Sequence, residues 1–422
     1  MLHCLFLPPV TLDDWLARIE QLHPEEIELG LDRLRVVAER LSLLHFACPV
    51  ITVGGTNGKG STVQLMERLA RAAGYSTALY TSPHILRFNE RVRLNGEPAG
   101  DVSLCAAFQA VEAARGGVAL TYFEFSTLAA WWLFQSCSPD LLIQEVGLGG
   151  RLDAVNLLDA DVSVITSVGL DHQDWLGDTR EQIAREKAGI LRAGRPLLYG
   201  EEDMPSTIAL CAADGGAHLL RAGEVFGVQG QRLYWQQDNA RRTLELNEAV
   251  PLGSDNLASA VQALALVGRL PETDIGTVAM ATSLPGRCQH VVIQGVHWYL
   301  DVGHNREALR RFHERLPRPL GRQLLLCGML ADKPAEALEV FRPSVDHWYF
   351  AGLGGHRGRT AEQLRSALPS LSLLSSQWSE YQDVATATDA LLAEAQKGDQ
   401  VVVCGSFHTV AEAMSVLGLG LE

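Results

Sequence analysis

A β-branched run, Val50-Ile-Thr-Val53, passes directly into Gly54-Gly-Thr-Asn-Gly-Lys-Gly-Ser-Thr62. Behind it, Val63, Leu65, Met66, Leu69 and Ala73 recur at helical spacing, with Glu67, Arg68 and Arg71 between them. A short strand, a glycine-rich turn and a helix together turn backbone N–H groups toward an anion. The glycines are required because backbone must approach the ligand closely, in conformations a Cβ would obstruct. Lys59 then reaches toward terminal phosphates, and Ser61 or Thr62 can reach a divalent cation. The spacing departs from the ordinary phosphate-loop pattern, since Gly60 separates the lysine from the hydroxyl.

Strand-like and helix-like runs alternate along the chain, which predicts α/β architecture with mostly parallel sheets. Strands are expected at Val50–Val53, Thr77–Tyr80, Leu141–Val146, Val162–Ser167 and Pro196–Tyr199. Alternating polar and aromatic residues over Phe226–Leu246 predict a small antiparallel meander that closes the first domain. A helix is expected from Asp255, as N-cap, to Val267. Leu284-Pro-Gly-Arg287 breaks the pattern, and a second α/β series follows at His297–Leu300, Gln323–Cys327, His347–Phe350 and Gln400–Cys404. This gives a first domain over 1–286, a hinge over 287–295 and a Rossmann-like second domain over 296–422.

The 422 residues carry a net charge of −15, which argues against nucleic acid or an anionic membrane as the main partner. The 8 cysteines are scattered singly, without a C-x-x-C pair, so reduced and mostly buried thiols are expected rather than disulfides or zinc. The apolar start, Met1–Pro9, is too short for a signal peptide, and no apolar run reaches membrane-spanning length. A cytoplasmic, monomeric protein is expected.

Polar groups recur just past the expected strands, where open α/β sheets bind ligands. Glu145 lies inside the otherwise apolar strand Leu141–Val146, where a buried carboxylate calls for a cation or hydrogen bonds. Asp171, His172 and Asp174 follow the next strand, and Ser82 lies in the turn Tyr80-Thr-Ser-Pro-His84. Lys187 falls near the end of a helical run closed by Gly189. In the second domain, Asp301, His304 and Asn305 follow one strand, and Ser406 and His408 another.

These motifs, in order, resemble one family. Gly55-Thr-Asn-Gly-Lys-Gly-Ser61, Tyr80–His84, Glu145-Val-Gly-Leu-Gly-Gly-Arg-Leu-Asp-Ala154, Asp171-His172, Arg185-Glu-Lys-Ala-Gly189, Leu284–Arg287 and Asp301–Asn305 are similar to the folylpolyglutamate synthase/dihydrofolate synthase family of the Mur ligase superfamily. The resemblance implies an ATP-dependent amide ligase acting on dihydropteroate, reduced folates and L-glutamate. It implies that Thr56, Asn57, Gly58, Lys59, Gly60 and Ser61 bind ATP phosphates, with Asn256 at adenine and Arg287 and Asp301 at the nucleotide. Ser82, Glu145 and His172 become Mg²⁺ ligands, with two ions expected, and Lys187 the position carbamylated in the superfamily. Gln21, Leu22, His23, Pro24, Thr121, Tyr122, Phe123, Glu124 and Asp153 resemble a pterin-binding set, whereas spacing alone reads Tyr122 and Phe123 as core. His304 and Ser406 fall near the incoming glutamate or the phosphates.

Two departures fall in the second domain. Gly303 and Arg306 replace the alanine and proline of the family's D-x-A-H-N-P, and Asp332-Lys-Pro334 stands for its D-K-D. A cell-wall Mur ligase would need a sugar-nucleotide domain ahead of Val50. A non-catalytic nucleotide switch would not need the second set of polar strand ends.

Overall fold

The computed structural model describes residues 10–24, 28–272, 274–368 and 374–420. The N-terminal reading over 1–9, Cys4 included, lies outside them. The chain divides after Thr282 into two compact units, 1–282 and 283–422.

The first unit is built on eight described strands: β1 (Val50–Gly54), β2 (Thr77–Tyr80), β3 (Val92–Leu94), β4 (Glu97–Pro98), β5 (Leu141–Glu145), β6 (Val162–Ile165), β7 (Pro196–Tyr199) and β8 (His218–Arg221). Their order is β4-β3-β2-β5-β1-β6-β7-β8. The neighbours from β2 through β5, β1, β6 and β7 to β8 run parallel, whereas the β2–β3 and β3–β4 pairs at the edge are antiparallel. β1, β5 and β6 are buried along their whole length, hence their unbroken apolar runs. Gln144 is a polar exception within β5, ahead of the terminal Glu145. Its amide is saturated by Thr52 Oγ1 and the Val155 carbonyl, both at 2.9 Å, and by Trp131 Nε1 at 3.1 Å. Chain order reverses around β1, so a crevice opens at the carboxyl ends of β5, β1 and β6.

The helix behind the glycine turn spans Lys59–Ala72, four residues longer at its start than its apolar spacing indicates. Glu67, expected among the solvated positions, is buried against Arg93 Nε (3.3 Å) and the Gly96 N–H (3.1 Å). Burial raises its carboxyl, and Arg93 opposes the shift.

The meander is present as β9 (Gly227–Gln229), β10 (Arg232–Gln237) and β11 (Ala240–Glu245), in antiparallel order β11-β10-β9. Asp238 and Asn239 both take positive φ, the backbone of a two-residue hairpin turn. Gln262 accepts from the Gln236 N–H at 2.9 Å and donates to the Gln236 carbonyl at 3.0 Å, fixing the helix Ser254–Leu266 against β10. That helix starts from Gly253 at φ 92°, so Asp255 lies in its first turn and is not its cap.

The second unit has β12 (Gln289–Ile293), β13 (Val296–Leu300), β14 (Gln323–Cys327), β15 (His347–Ala351), β16 (Trp378–Tyr381) and β17 (Gln400–Cys404), ordered β12-β13-β17-β14-β15-β16. β13 to β16 are parallel, with β12 antiparallel at the edge. The segment expected as a hinge therefore carries a strand of the second sheet. Among the described cysteines all are free thiols, but only Cys327 and Cys404 are buried, which corrects the expectation of mostly buried thiols. No described helix is long and apolar enough to cross a membrane.

Candidate active site

The turn after β1 is bolted to the loop after β6. Thr56 N–H donates to the Ser167 carbonyl, and Asn57 N–H to Ser167 Oγ, each at 2.9 Å. Thr166 Oγ1 donates to the Asn57 carbonyl at 2.6 Å, and Gly169 N–H to Thr56 Oγ1 at 3.0 Å. Those two N–H groups, expected to face phosphate, are therefore spent on protein. At the start of the helix Lys59–Ala72, where a helix turns its first N–H groups outward, Thr62 N–H is the donor that returns to the Gly58 carbonyl. Lys59 Nζ donates to the Gly55 and Thr56 carbonyls at 3.0 and 3.3 Å, folding over the loop.

Gly58 caps this helix at φ 88°. A Cβ there would stand 2.4 Å from Asn256 Oδ1. Asn256 donates from Nδ2 to the Leu252 carbonyl at 2.6 Å and accepts from Thr62 Oγ1 at 3.3 Å. The structure thus brings Asn256 to the glycine turn across 194 residues of sequence.

Glu145 ends β5 beside β2, and its carboxylate is buried. It accepts from Thr81 Oγ1 and, at 3.3 Å, from Ser82 N–H. The Ser82 backbone thus lies against the Glu145 carboxylate, and both residues carry oxygen of the kind Mg²⁺ prefers, one or two carboxylates per ion being its habit. His172 is exposed at the start of the short helix Gln173–Leu176, with φ 51°. Among the described residues no three His, Cys, Asp or Glu side chains gather as a metal cage. The donor set fits an ion completed by water and phosphate oxygens.

Lys187 is 4% exposed near the end of the helix Arg180–Ala188. Burial, then repulsion from Lys59, lowers its ammonium to about 7, against attraction from Asp171 and Asp153. Asp153 is buried too, and burial raises its carboxyl to about 7 although Leu148 and Val155 N–H groups bond it at 2.8 and 3.0 Å. Lys59, Asp153, Asp171 and Lys187 thus share one electrostatic neighbourhood.

Thr121 and Glu124 form a reciprocal capping box at the start of the helix Tyr122–Cys137. Tyr122 lies under the Arg91 guanidinium (5.4 Å) and edge-on to Phe88 (6.2 Å). Phe123 packs on Gly147, where a Cβ would come within 2.7 Å of the ring, so it touches the loop behind Glu145. Gln21, Leu22, His23 and Pro24 follow the helix Leu12–Ile19, and His23 Nε2 meets Glu28 at 2.7 Å.

In the second unit, Asp301 accepts from the Cys288 and Gly303 N–H groups, each at 2.8 Å. Burial raises its carboxyl and Arg287 opposes the shift. Arg287 stacks on Phe407 at 5.1 Å. His304 Nδ1 lies 3.0 Å from the Val302 carbonyl, which can only accept, so Nδ1 carries the proton and Nε2 is the basic nitrogen of the neutral ring. Ser406 is buried as the N-cap of the helix Phe407–Val416, its Oγ accepting from Thr409 N–H at 3.0 Å. That engagement makes it a helix cap first.

Residues 286–407 match the Mur ligase glutamate ligase domain. Over 412 residues the chain is 45% identical to the dihydrofolate synthase/folylpolyglutamate synthase of Escherichia coli K12, covering 96% of this chain and 95% of that one. The chain belongs to the dihydrofolate synthase/folylpolyglutamate synthase family. The Haemophilus influenzae member of the same name is 40% identical over 434 residues, covering 96% of this chain and 97% of its own. E. coli FolC in complex with DHPP and ADP superposes with a TM-score of 0.90 at 43% identity, covering 97% and 98% of the two chains. A bifunctional enzyme of this name with Mn, AMPPNP and L-glutamate bound gives 0.88 at 44%, covering 98% and 100%.

Within this synthase fold, sequence reading passed over Ser167, Thr166 and Arg33. Ser167 and Thr166 read as the polar end of a strand, and only the strand order shows that they clamp the glycine turn. Arg33 reads as one charge on the exposed face of the helix Asp32–Arg40.

Proposed function

We propose that this chain is an ATP- and divalent-metal-dependent ligase that adds L-glutamate to dihydropteroate and to the glutamate tail of reduced folates. The observation that carries this reading is the convergence on one sheet edge of the Gly58–Ser61 helix start, the Ser82/Glu145 oxygen pair and the buried Lys187 and Asp153. The names of the relatives and the ligands of the solved neighbours support the same reaction.

A carboxylate has no leaving group for an amine to displace. Its oxygen takes the γ-phosphoryl of ATP, giving an acyl phosphate and ADP. The α-amine of glutamate then attacks the carbonyl carbon, phosphate departs with the former carboxylate oxygen, and the amine gives up a proton. The chain's part is to position the reactants and to offset charge, with Lys59 and the N–H groups of its helix start at the phosphates. Mg²⁺ held by Ser82 and Glu145, with His172 as a further ligand, would neutralise phosphate charge and orient the oxygens. Asn256 and the pair Arg287–Asp301 are assigned to the nucleotide. Gln21–Pro24, Thr121–Glu124 and Asp153 are assigned to the pterin, and His304 and Ser406 to the glutamate side.

Carbamylation of Lys187 belongs to this reading. Addition to CO₂ requires the neutral amine, which a group titrating near 7 supplies in quantity. The product exchanges a buried cation for an anion able to bind a second Mg²⁺. We place the enzyme in the cytoplasm as a monomer.

The test is incubation with ATP, Mg²⁺ and labelled L-glutamate plus either dihydropteroate or a monoglutamyl reduced folate, with products read by mass spectrometry. Glutamate on both acceptors supports the bifunctional reading. ATP hydrolysis without amide product would overturn it in favour of a nucleotide switch.

A further inference from the structure

We propose that Arg33 is a positioning residue of the pterin pocket, tying the turn 21–24, through Glu28, to the N-terminus of the helix Tyr122–Cys137. The proposal rests on the acceptor assignment above and adds a residue that assignment does not contain.

The linkage is continuous. Arg33 Nε donates to Glu124 Oε2 at 2.9 Å, across 91 residues of sequence. Arg33 Nη2 donates to the Glu28 carbonyl at 2.5 Å, and Nη1 to the Glu28 carboxylate. The other Glu28 oxygen meets His23 Nε2 at 2.7 Å. At the far end, Glu124 Oε2 also accepts from Thr121 N–H at 2.8 Å, and Thr121 Oγ1 accepts in turn from Glu124 N–H at 3.3 Å.

Two features show that this linkage matters. The Glu124 side chain is 5% exposed, so its charge needs a cation, and among the described residues Arg33 is the one that reaches it at hydrogen-bond distance. Its second oxygen, Oε1, is buried with no hydrogen-bond partner among the described residues, so the guanidinium bears the more of that burden. The three Arg33 nitrogens point at three acceptors on two segments. A lysine, with a single rotatable point charge, could not span them.

Losing the link frees the turn 21–24 and loosens the helix start that carries Tyr122 and Phe123. Neither change reaches the glycine turn ahead of the helix Lys59–Ala72, whose Asn57 is held separately by Ser167 and Thr166. The acceptor should therefore be affected and the nucleotide spared, a split that general destabilisation would not produce.

The full-length enzyme is assayed with dihydropteroate varied at saturating ATP and glutamate, then with ATP varied, for wild type, Arg33→Gln and Glu28→Gln. Arg33→Gln is expected to raise the dihydropteroate KM about tenfold or more with the ATP KM within about twofold. Glu28→Gln weakens the link at its exposed end by removing the carboxylate charge, keeps the Arg33 bond to the residue 28 carbonyl and leaves Glu124 its cation, so a smaller rise of about threefold is expected. An unchanged dihydropteroate KM in Arg33→Gln, or parallel rises for ATP and acceptor, would overturn the proposal. Should Arg33→Gln not fold, Glu28→Gln decides by the same criterion. A wild type that glutamylates neither acceptor defeats the acceptor assignment, and the proposal with it.

Discussion

Asp153 and Lys187 lie within electrostatic reach of each other inside the first unit, and burial brings both to about 7 from opposite sides. A carboxyl is raised and an ammonium lowered because the low-dielectric interior disfavours whichever form is charged.

The same shifts give stability a pH signature. From about pH 7 to 10 the unfolded chain binds a proton at Lys187 that the native chain has released, so stability rises with pH across that window. From about pH 4 to 7 native Asp153 keeps a proton that the unfolded chain has lost, so its contribution falls as pH rises. Lys187→Met should flatten the upper slope, by on the order of 1–3 kcal/mol over the window, and Asp153→Asn the lower one. Urea midpoints measured in steps from pH 5 to 10 read both slopes. An unaltered upper slope in Lys187→Met would refute the assignment.

Glu145→Gln keeps the size of the side chain and removes its charge. The Mg²⁺ concentration for half-maximal ligation should rise about tenfold or more, with kcat reduced by roughly two orders of magnitude. Titrating ligation with Mg²⁺ measures both. A normal half-saturation point removes Glu145 from the metal site.

At Gly58 a side chain faces two separate penalties, the positive φ and the 2.4 Å approach to Asn256 Oδ1. Gly58→Ala should cost about a hundredfold in kcat/KM for ATP. Adding Asn256→Ala relieves the contact and not the backbone, so the double variant should recover little. Recovery to near the level of Asn256→Ala alone would show that the contact was the whole effect.

Gly189 closes the helix that carries Lys187 at an ordinary φ of −62°, so backbone conformation does not demand glycine there. Close approach does. A Cβ would stand 2.4 Å from Arg151 Cβ and 2.6 Å from its Cα. Gly189→Ala should lose about 1–3 kcal/mol by displacing the loop after β5. Equilibrium denaturation checks this, and a change under about 0.5 kcal/mol would mean the loop yields freely.

Local chemistry accounts for what could be read early. The glycine turn after Val50–Val53, the unbroken apolar parallel strands and the polar–aromatic alternation over Phe226–Leu246 each carry their instruction in a few adjacent residues. Their placement in the fold followed from periodicity and turn chemistry alone. The boundaries that moved did so for equally local reasons. Lys59, Gly60 and Ser61 look like loop by composition but form the helix's first turn, and Gln289–Ile293 looks like a linker until β13 pairs with it.

The sequence by itself determined the α/β class, the order of strands and helices along the chain, and the chemical groups at each strand end. Tertiary structure alone decided which groups meet. Ser167 takes the Asn57 N–H because β6 is the neighbour of β1, and Gly58 admits no side chain because Asn256 arrives from a distant helix. Arg33 passes from a surface charge to a tie between two segments once Glu124 is buried beside it. Burial is a property of the assembled interior, and it is burial that moves Asp153 and Lys187 toward neutrality; no pattern of neighbours along the chain carries that information.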